Sequence, residues 1–189
     1  HDIQHLHYPK YFNIITRRHR LRNYLYTAKS AKYLQASSSF IKNDFLFHYP
    51  FLNRKKIFVL NEGVLLDDFI IVKEEAIKIF SKLKLPEDFI FYPSQLWHHK
   101  DHATILKSLQ VLRDKHSLNI NLVLSGGKFS ASKSIFKLID DLNLKDQVYY
   151  LGKVPFKTLL SLYSLSRFFI TATLYESSSL PALEAASVG

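Results

Sequence analysis

Cysteine is absent from the 189 residues, and so is methionine. Without a thiol the chain has no disulfide framework, no thiolate metal site and no cysteine nucleophile, which fits a cytoplasmic protein. No apolar run approaches the roughly 18 to 20 residues that cross a bilayer, so we expect no membrane-spanning helix. Because the chain lacks methionine and opens on a histidine, we expect it to be an internal piece of a longer protein.

Positive charge is concentrated in the first third of the chain. The net charge is +10, and residues 1–60 hold eleven Lys or Arg against two acidic residues. An anionic partner would therefore be met mainly there. Four arginines between Arg17 and Arg22 lie within a predicted helix over residues 11–31. An anionic membrane surface, nucleic acid or plain solvent could each face these arginines.

The first residues, His1 to Pro9, predict a polar, aromatic loop. The spacing of His1, His5 and His7 also allows a metal site, but with no cysteine and no further ligand cluster nearby an ordinary polar loop is favoured. Further strands are predicted at 33–37 and 56–60, with a helix that begins near Ser38. We expect Phe12, Ile15, His19 and Tyr26 to share one face of the helix over 11–31.

A repeating pattern of strands and helices follows a predicted helix over 72–83. Strands are predicted at 89–92, 120–124, 148–151 and 168–171, and helices at 103–116, 131–142, 156–165 and 180–188. Such alternation is typical of an α/β domain with a parallel sheet covered on both faces. Ligands of these sheets bind at the carboxyl ends of the strands, where Gly126, Gly127 and Gly152 fall.

The turn before the last helix carries two glutamates, Glu176 and Glu184. Ser179 is a candidate N-cap, and Pro181 suits the first helical turn. The N–H groups and dipole of such a helix start suit a phosphate, and the two carboxylates could accept hydrogen bonds from the vicinal hydroxyls of a hydroxyl-rich ligand. On spacing alone, a solvated loop glutamate and a glutamate that supports the helix dipole explain the pattern equally well.

Lys100 precedes another predicted helix, where a cation is unfavourable unless an anion binds nearby. An ordinary surface lysine is the alternative. Gly126 and Gly127 follow the strand at 120–124 and would let a ligand approach the backbone closely.

The Glu-x7-Glu pattern, with Leu-Pro inside and Glu-Ala-x-x-x-Gly at its end, closely resembles the donor-site signature of family 4 retaining glycosyltransferases of the GT-B type. The segment YPSQLWHHKDH at 92–102 resembles the family's Gly-Arg-x-x-x-x-Lys motif, with Lys100 at the lysine position. Gln95 stands where the family has arginine, so the charge of that side chain is missing. The Asn-x-Gly-Val turn at 61–64 resembles the end of the family's first domain.

The resemblance implies a GT-B fold. Residues 1–88 would be the C-terminal part of an acceptor-side Rossmann-like domain plus a linker, and residues 89–189 a nucleotide-sugar donor domain. Alone, these residues are expected to be unstable or inactive.

The resemblance further implies a retaining transfer from a UDP- or GDP-sugar to a sugar or lipid-linked acceptor, in cell-surface polysaccharide or glycolipid synthesis at the inner face of the membrane. It assigns catalytic roles to His1, Lys100 and Glu176, with Glu176 on the donor sugar's hydroxyls. The nucleotide contacts that it implies are Gln95, Gly126, Gly127, Val154, Ser179, Leu180 and Glu184, the last on the ribose hydroxyls. No Asp-x-Asp motif is present, which accords with transfer that needs no metal and no other cofactor.

Two other functions stay open. One is a GT-B sugar-nucleotide epimerase, whose own acid and base carboxylates are not found. The other is a non-catalytic basic module for lipid or nucleic acid. The Glu-x7-Glu pattern together with Lys100 favours the transferase, and no nucleic-acid partner is expected.

Overall fold

The computed structural model describes residues 2–188, apart from the side chains of Leu66 and Asp67. The chain forms two compact units. Unit 1 comprises the described residues up to Gly63 together with Tyr175–Leu180, and unit 2 comprises Val64–Leu174 together with the described residues from Pro181 onward. The predicted division into residues 1–88 and 89–189 stays a prediction.

Unit 1 is built around a short parallel sheet. Its helices and strands are α1 (Gln4–His7), α2 (Ile14–Ser30), β1 (Leu34–Ala36), α3 (Ser39–His48) and β2 (Ile57–Val59), with 3-10 turns at Pro9–Tyr11 and Arg54–Lys56. β1 and β2 pair in parallel, with Leu34 opposite Ile57. Asn13 caps α2 by accepting a hydrogen bond from the Thr16 N–H, and Ser38 caps α3 in the same way. The predicted helix and strands are therefore present, each shorter by one to three residues at an end.

One expectation for unit 1 is wrong. The segment predicted as a polar loop contains α1, and Ile3, Gln4 and His5 are buried because Ile3 belongs to the core of this unit. On α2, two residues of the predicted shared face stay in solvent, since Ile15 is 78% and Tyr26 72% exposed.

Unit 2 alternates strands and helices as predicted. The structure has α4 (Lys73–Phe80), β3 (Phe89–Pro93), α5 (His102–His116), β4 (Asn121–Ser125), α6 (Ser132–Asp141), β5 (Val148–Tyr150), α7 (Phe156–Leu165) and α8 (Leu180–Val188). Short 3-10 turns lie at Leu66–Phe69, Ser81–Leu83 and His98–Lys100. Helix α8 begins in unit 1 with Leu180 and continues in unit 2.

The sheet of unit 2 has the order β3-β4-β5, with both pairs parallel. All residues from Phe89 to Tyr92 are buried, because helices cover both faces of the sheet. Ile90 and Tyr92 pack on one side in a cluster that includes residues of α5 and α6. Phe89 and Phe91 pack on the other side in a cluster that includes residues of α7. The predicted α/β class with a parallel sheet is confirmed.

The strand predicted at 168–171 is wrong in extent. Only Phe169 pairs with Phe91, in a single parallel bridge. The Phe91 N–H donates to the Phe168 carbonyl and the Ile170 N–H donates to the Phe91 carbonyl. The chain then leaves β3, and the Leu174 N–H donates to the His99 carbonyl instead. Pairing ends because these later residues bond to a loop and not to the sheet.

Among residues 2–188, no helix combines the length and the apolar character needed to cross a bilayer.

Candidate functional site

Three loops meet at the carboxyl edge of the sheet in unit 2. The Ser94 N–H, just after β3, donates to the Ser125 carbonyl at the end of β4 over 2.7 Å. The Gly126 N–H donates in turn to the Gly152 carbonyl, after β5, over 2.8 Å. These backbone bonds fix the loops to one another, so the groups that they carry have defined positions.

Gly126 lies where these loops cross. Its φ is +141°, and a Cβ atom built on it would lie 2.4 Å from the Ser94 carbonyl oxygen. Only glycine fits this position without moving the backbone of the β3 loop. The next residue, Gly127, is less constrained, because its Cβ would meet only the side chains of Phe129 and Lys153, at 3.0 and 3.1 Å.

A cavity of about 310 Å³ opens beside these glycines, and Gln95, Gly126, Gly127, Val154 and Glu184 all line it. It is completed by Pro93, Ser94, Ser125, Lys153 and Leu159. Five residues that were predicted to contact the nucleotide therefore surround one cavity at the edge where α/β sheets bind ligands.

Glu184 is held in place by a buried tyrosine. The Tyr163 hydroxyl of α7 donates a hydrogen bond to Glu184 Oε2 at 2.9 Å. Burial raises the pKa of Tyr163, and the Glu184 carboxylate raises it further, so this hydroxyl keeps its proton and donates. One carboxylate oxygen is thus engaged by the protein, and the other oxygen can accept from a hydroxyl in the cavity.

Gln95 is oriented by Trp97. The indole N–H of Trp97 lies 3.1 Å from Gln95 Oε1. An indole nitrogen can only donate, so its partner must be the amide oxygen of Gln95. The amide NH2 group is then the part of Gln95 that can donate to a ligand. Trp97 is itself fixed by stacking on Phe129, with ring centroids 4.1 Å apart.

A second cavity, of about 370 Å³, shares Gln95 with the first and contains Lys100. Its other lining residues are Pro93, Ser94, Trp97, His99 and Pro181. The Tyr92 hydroxyl donates to the Lys100 carbonyl at 2.6 Å and fixes the backbone there. Asp101 follows in a left-handed conformation, with φ of 46°, and caps α5 by accepting from the Thr104 N–H. Unit 2 therefore places a lysine and a carboxamide beside one another.

The remaining predicted site residues are not part of the described residues of unit 2. Glu176, Ser179 and Leu180 belong to unit 1, although Glu184 belongs to unit 2. His1 lies outside the described residues.

His5 and His7, the two described members of the predicted histidine set, have different surroundings. His5 is buried and stacks on Tyr24, whereas His7 lies beside Asp44 and His48. Burial, and to a smaller extent the nearby Arg20, lowers the pKa of His5 to about 4.

Three contributors to the site were not predicted. Tyr163 carries no motif, and its contact spans 21 residues of sequence. Lys153 lies between Gly152 and Val154, which were both considered. A positive charge next to a glycine loop was the sequence signal that could have identified it. Trp97 was noted only as part of a motif, and its role depends on a hydrogen bond that the sequence does not show.

Known proteins resemble this chain along its whole length. It is 27% identical over 191 residues to the O-antigen chain mannosyltransferase RfbU of Salmonella typhimurium. That alignment covers 98% of this chain and 47% of RfbU. It is 26% identical over 192 residues to O-antigen chain mannosyltransferase B of Escherichia coli, covering 100% and 50%. The chain thus spans about half the length of these curated relatives.

The fold is shared with a solved glycosyltransferase structure. HepE of Anabaena, solved in complex with UDP-glucose, aligns with a TM-score of 0.77 over 95% of this chain and 48% of HepE, at 16% identity. This likeness concerns the fold alone, and it confirms the predicted GT-B type of α/β architecture.

A protein-family model provides the family assignment. The model of the family described as glycosyl transferases group 1 matches residues 73–189, more than half of the chain. The match includes the three loops, both cavities, Lys100 and Glu184. The chain therefore belongs to the glycosyl transferases group 1 family.

Proposed function

We propose that this chain serves a retaining glycosyltransferase that moves a hexose from a nucleotide-diphosphate sugar to a sugar or lipid-linked acceptor in cell-surface polysaccharide synthesis. The observation that carries the proposal is the cavity where Glu184 meets the Gly126–Gly127 loop, Gln95 and Lys153. A nucleotide needs these groups: a carboxylate for ribose hydroxyls, glycine backbone for close approach, and donors for phosphate. The mannosyltransferase names of the two relatives support a hexosyl donor.

In this proposal the nucleotide occupies the first cavity. Tyr163 holds Glu184 so that its second oxygen accepts from the ribose hydroxyls. Val154 and the neighbouring loop at Gly152 would run alongside the base of the nucleotide. The cavity offers a carboxylate but no acidic pair of the Asp-x-Asp kind, which supports binding of the diphosphate without a metal ion.

The diphosphate is proposed to extend toward the second cavity. As the bond between sugar and phosphate breaks, negative charge grows on the departing diphosphate. The Lys100 ammonium and the Gln95 amide would stabilise that charge electrostatically. The N–H groups of Ser179 and Leu180 would add to this effect as a helix N-terminus. Gln95 can donate a hydrogen bond as the family's arginine would, but it brings no charge. Lys100 would therefore provide more of the electrostatic stabilisation of the departing diphosphate.

Glu176 is proposed to accept hydrogen bonds from the hydroxyls of the donor sugar, and His1 to lie beside the transferred sugar. Both assignments follow from the family resemblance. Retention of configuration, by attack on the same face as the departing diphosphate, also rests on that resemblance.

Contact with an anionic membrane at its cytoplasmic face remains part of the proposal. It is supported by α2, where exposed Ile15 and Tyr26 accompany the exposed Arg18 and Arg22. Apolar and cationic side chains together suit the interface of an anionic bilayer.

Calorimetric titration of the full-length protein with UDP and with GDP, in the presence of a chelator, tests the donor site. We expect one nucleotide to bind with a micromolar Kd. Glu184→Gln should weaken it about tenfold, because a hydrogen bond to a charged group is lost. Glu87→Gln, at an exposed position of unit 2, is the matched control and should bind as the wild type does. Binding of neither nucleotide by the wild type would contradict the proposal.

A conservative change at Tyr163 tests how Glu184 is held. Tyr163→Phe keeps the ring in the core and removes the hydroxyl that bonds Glu184 Oε2. We expect nucleotide affinity to fall about threefold, because the Glu184 carboxylate stays in place to bind the ribose and loses only the group that orients it. Tyr149→Phe is the control, because that hydroxyl bonds the Asp146 carbonyl at the surface. Equal Kd values for Tyr163→Phe and the wild type would show that Tyr163 does not orient Glu184.

A further inference from the structure

Tyr175, the first residue of the loop that carries Glu176, is bonded to helix α3 within unit 1. The Tyr175 hydroxyl donates a hydrogen bond of 2.5 Å to Asp44 Oδ2 on α3, although the two residues are 131 positions apart. Tyr175 is only 6% exposed and belongs to the core of unit 1. Its ring also lies 5.5 Å from that of Phe40, between centroids. Tyr175 is thus held by packing and by a buried hydrogen bond.

Asp44 is the centre of this attachment. Its side chain is 7% exposed, and His7 Nε2 lies 2.9 Å from each carboxylate oxygen. A carboxylate only accepts, so His7 and Tyr175 both donate to it. The His7 ring lies 4.9 Å from the Tyr175 ring, which places all three side chains in contact. Burying a carboxylate is unfavourable unless such donors satisfy it, so the group is built to hold this arrangement.

The loop has a second attachment farther along. The Ser178 hydroxyl donates to Glu62 Oε2, in the turn that follows β2. Glu176 lies between the two attached residues, and consecutive Cα atoms are about 3.8 Å apart. Its backbone is therefore restrained from both sides by residues of unit 1.

We propose that Asp44 is a positioning residue, which fixes the Glu176 loop through Tyr175, with His7 as its second donor. The contacts themselves are independent of any function, and the role of Glu176 on the donor sugar rests on the proposed function. The nucleotide cavity belongs to unit 2, whereas this attachment lies entirely within unit 1. Loss of the attachment should therefore impair sugar transfer strongly and affect nucleotide affinity less, because the loop contributes only the N–H groups of Ser179 and Leu180 to the proposed nucleotide contacts.

A metal ion is the rival occupant of this cluster. One ligand atom from each of His7, Asp44 and His48 lies within 4.8 Å of the others. Two observations favour the hydrogen-bonded arrangement. His7 Nε2 lies within hydrogen-bond distance of both carboxylate oxygens, so its proton satisfies Asp44, and Tyr175 already donates to one of them. A metal ion would require that histidine proton to leave.

Hydrogen exchange in the full-length protein tests the attachment directly. Asp44→Asn and Tyr175→Phe should each speed exchange in the peptide covering residues 175–180 about tenfold or more, since a hydrogen bond to a charged group is lost. Exchange in α3 should change little if the unit stays folded. Tyr26→Phe, at an exposed tyrosine of unit 1, is the matched control. Unchanged exchange of the loop in both variants would overturn the proposal.

Two further measurements separate the alternatives. With the nucleotide sugar whose base binds in calorimetry, kcat of both variants should fall about tenfold, whereas the Kd of the nucleotide should rise by less than about threefold. A wild type that binds no nucleotide refutes the proposed function but leaves the exchange result to decide the attachment. Titration with ZnCl2 alone should give no saturable binding. Saturable zinc binding that is lost in Asp44→Asn would overturn the hydrogen-bonded arrangement in favour of a metal site.

Discussion

Replacing Gly126 with alanine is expected to lower the free energy of unfolding of unit 2 by about 3 to 5 kcal/mol, the sum of backbone strain and overpacking. The new Cβ would lie 2.4 Å from the Ser94 carbonyl oxygen and 2.8 Å from the Gln95 nitrogen. Both are backbone atoms of the β3 loop and cannot rotate away as a side chain can. The Tyr150 hydroxyl, which donates to the Gly126 carbonyl at 2.7 Å, further restrains the glycine.

Two other glycines give a graded comparison. Gly127→Ala meets only the ring of Phe129 and the end of Lys153, which can move, so we expect a loss of about 1 kcal/mol. Gly63→Ala meets nothing within 4 Å and should change stability by less than about 0.5 kcal/mol. Urea unfolding of the full-length protein is monitored by hydrogen exchange. Peptides from β4 and β5 report on Gly126→Ala and Gly127→Ala, and peptides from β1 and β2 report on Gly63→Ala, which lies in unit 1. A loss for Gly126→Ala no larger than that for Gly127→Ala would contradict the close packing of the three loops.

The order of elements in unit 2 could be predicted because local signals and burial agree there. Phe89 to Tyr92 form an unbroken apolar run, which is typical of a strand covered on both faces. The segment Asn121–Ser125 is also a strand whose buried residues are mostly apolar, and the helices around it were predicted from their position between the strands. The place of the site followed from topology, because strand ends in parallel sheets share one edge.

Unit 1 was harder to predict because long-range packing overrides local composition. The segment Ile3–His5 has the composition of a polar loop but is buried, since Ile3 and His5 pack against residues from α2 and β1. Conversely, the arginine-rich helix has apolar residues at helical spacing that stay exposed. Neither outcome is visible in periodicity alone.

Only part of the candidate site could be predicted, again because long-range packing decides where the motif residues lie. The spacing of Glu176 and Glu184 indicated a shared role, yet packing places the first in unit 1 and the second in unit 2. The contacts that orient these segments come from residues distant in sequence: Tyr163 for Glu184, and Asp44 for the loop of Glu176. A motif shows which groups could act, whereas the side chains that hold them follow only from the fold.

Acidification from pH 7 to pH 4 is expected to lower the free energy of unfolding of unit 2 by up to about 3 kcal/mol through His102. This side chain, the first residue of α5, is 2% exposed and lies against the ring of Tyr92. Among the described residues, neither ring nitrogen has a partner at normal hydrogen-bond geometry. Burial lowers the pKa of His102 from 6.5 to about 4, against smaller opposing effects of the Ser94 backbone and Asp101.

The direction of this effect follows from proton binding. The unfolded chain takes up a proton at His102 near pH 6.5, but the folded unit does so only near pH 4. Between these values the unfolded state binds more protons, so stability is greatest above pH 6.5 and falls as the pH falls. Carboxylates also contribute to acid unfolding, and a variant that removes the histidine isolates its share.

The wild type and His102→Phe are compared by urea unfolding at pH 7, 6, 5 and 4.5. Hydrogen exchange in the full-length protein reports the unfolding of unit 2. Phenylalanine keeps a ring of similar size against Tyr92 and cannot take up a proton. We expect the variant to lose much less stability than the wild type between pH 7 and pH 4.5. His116→Gln, at the exposed end of α5, should keep the wild-type slope. The same slope in His102→Phe and the wild type would mean that His102 is charged in the folded unit, and that α5 packs less closely on the sheet than the structure shows.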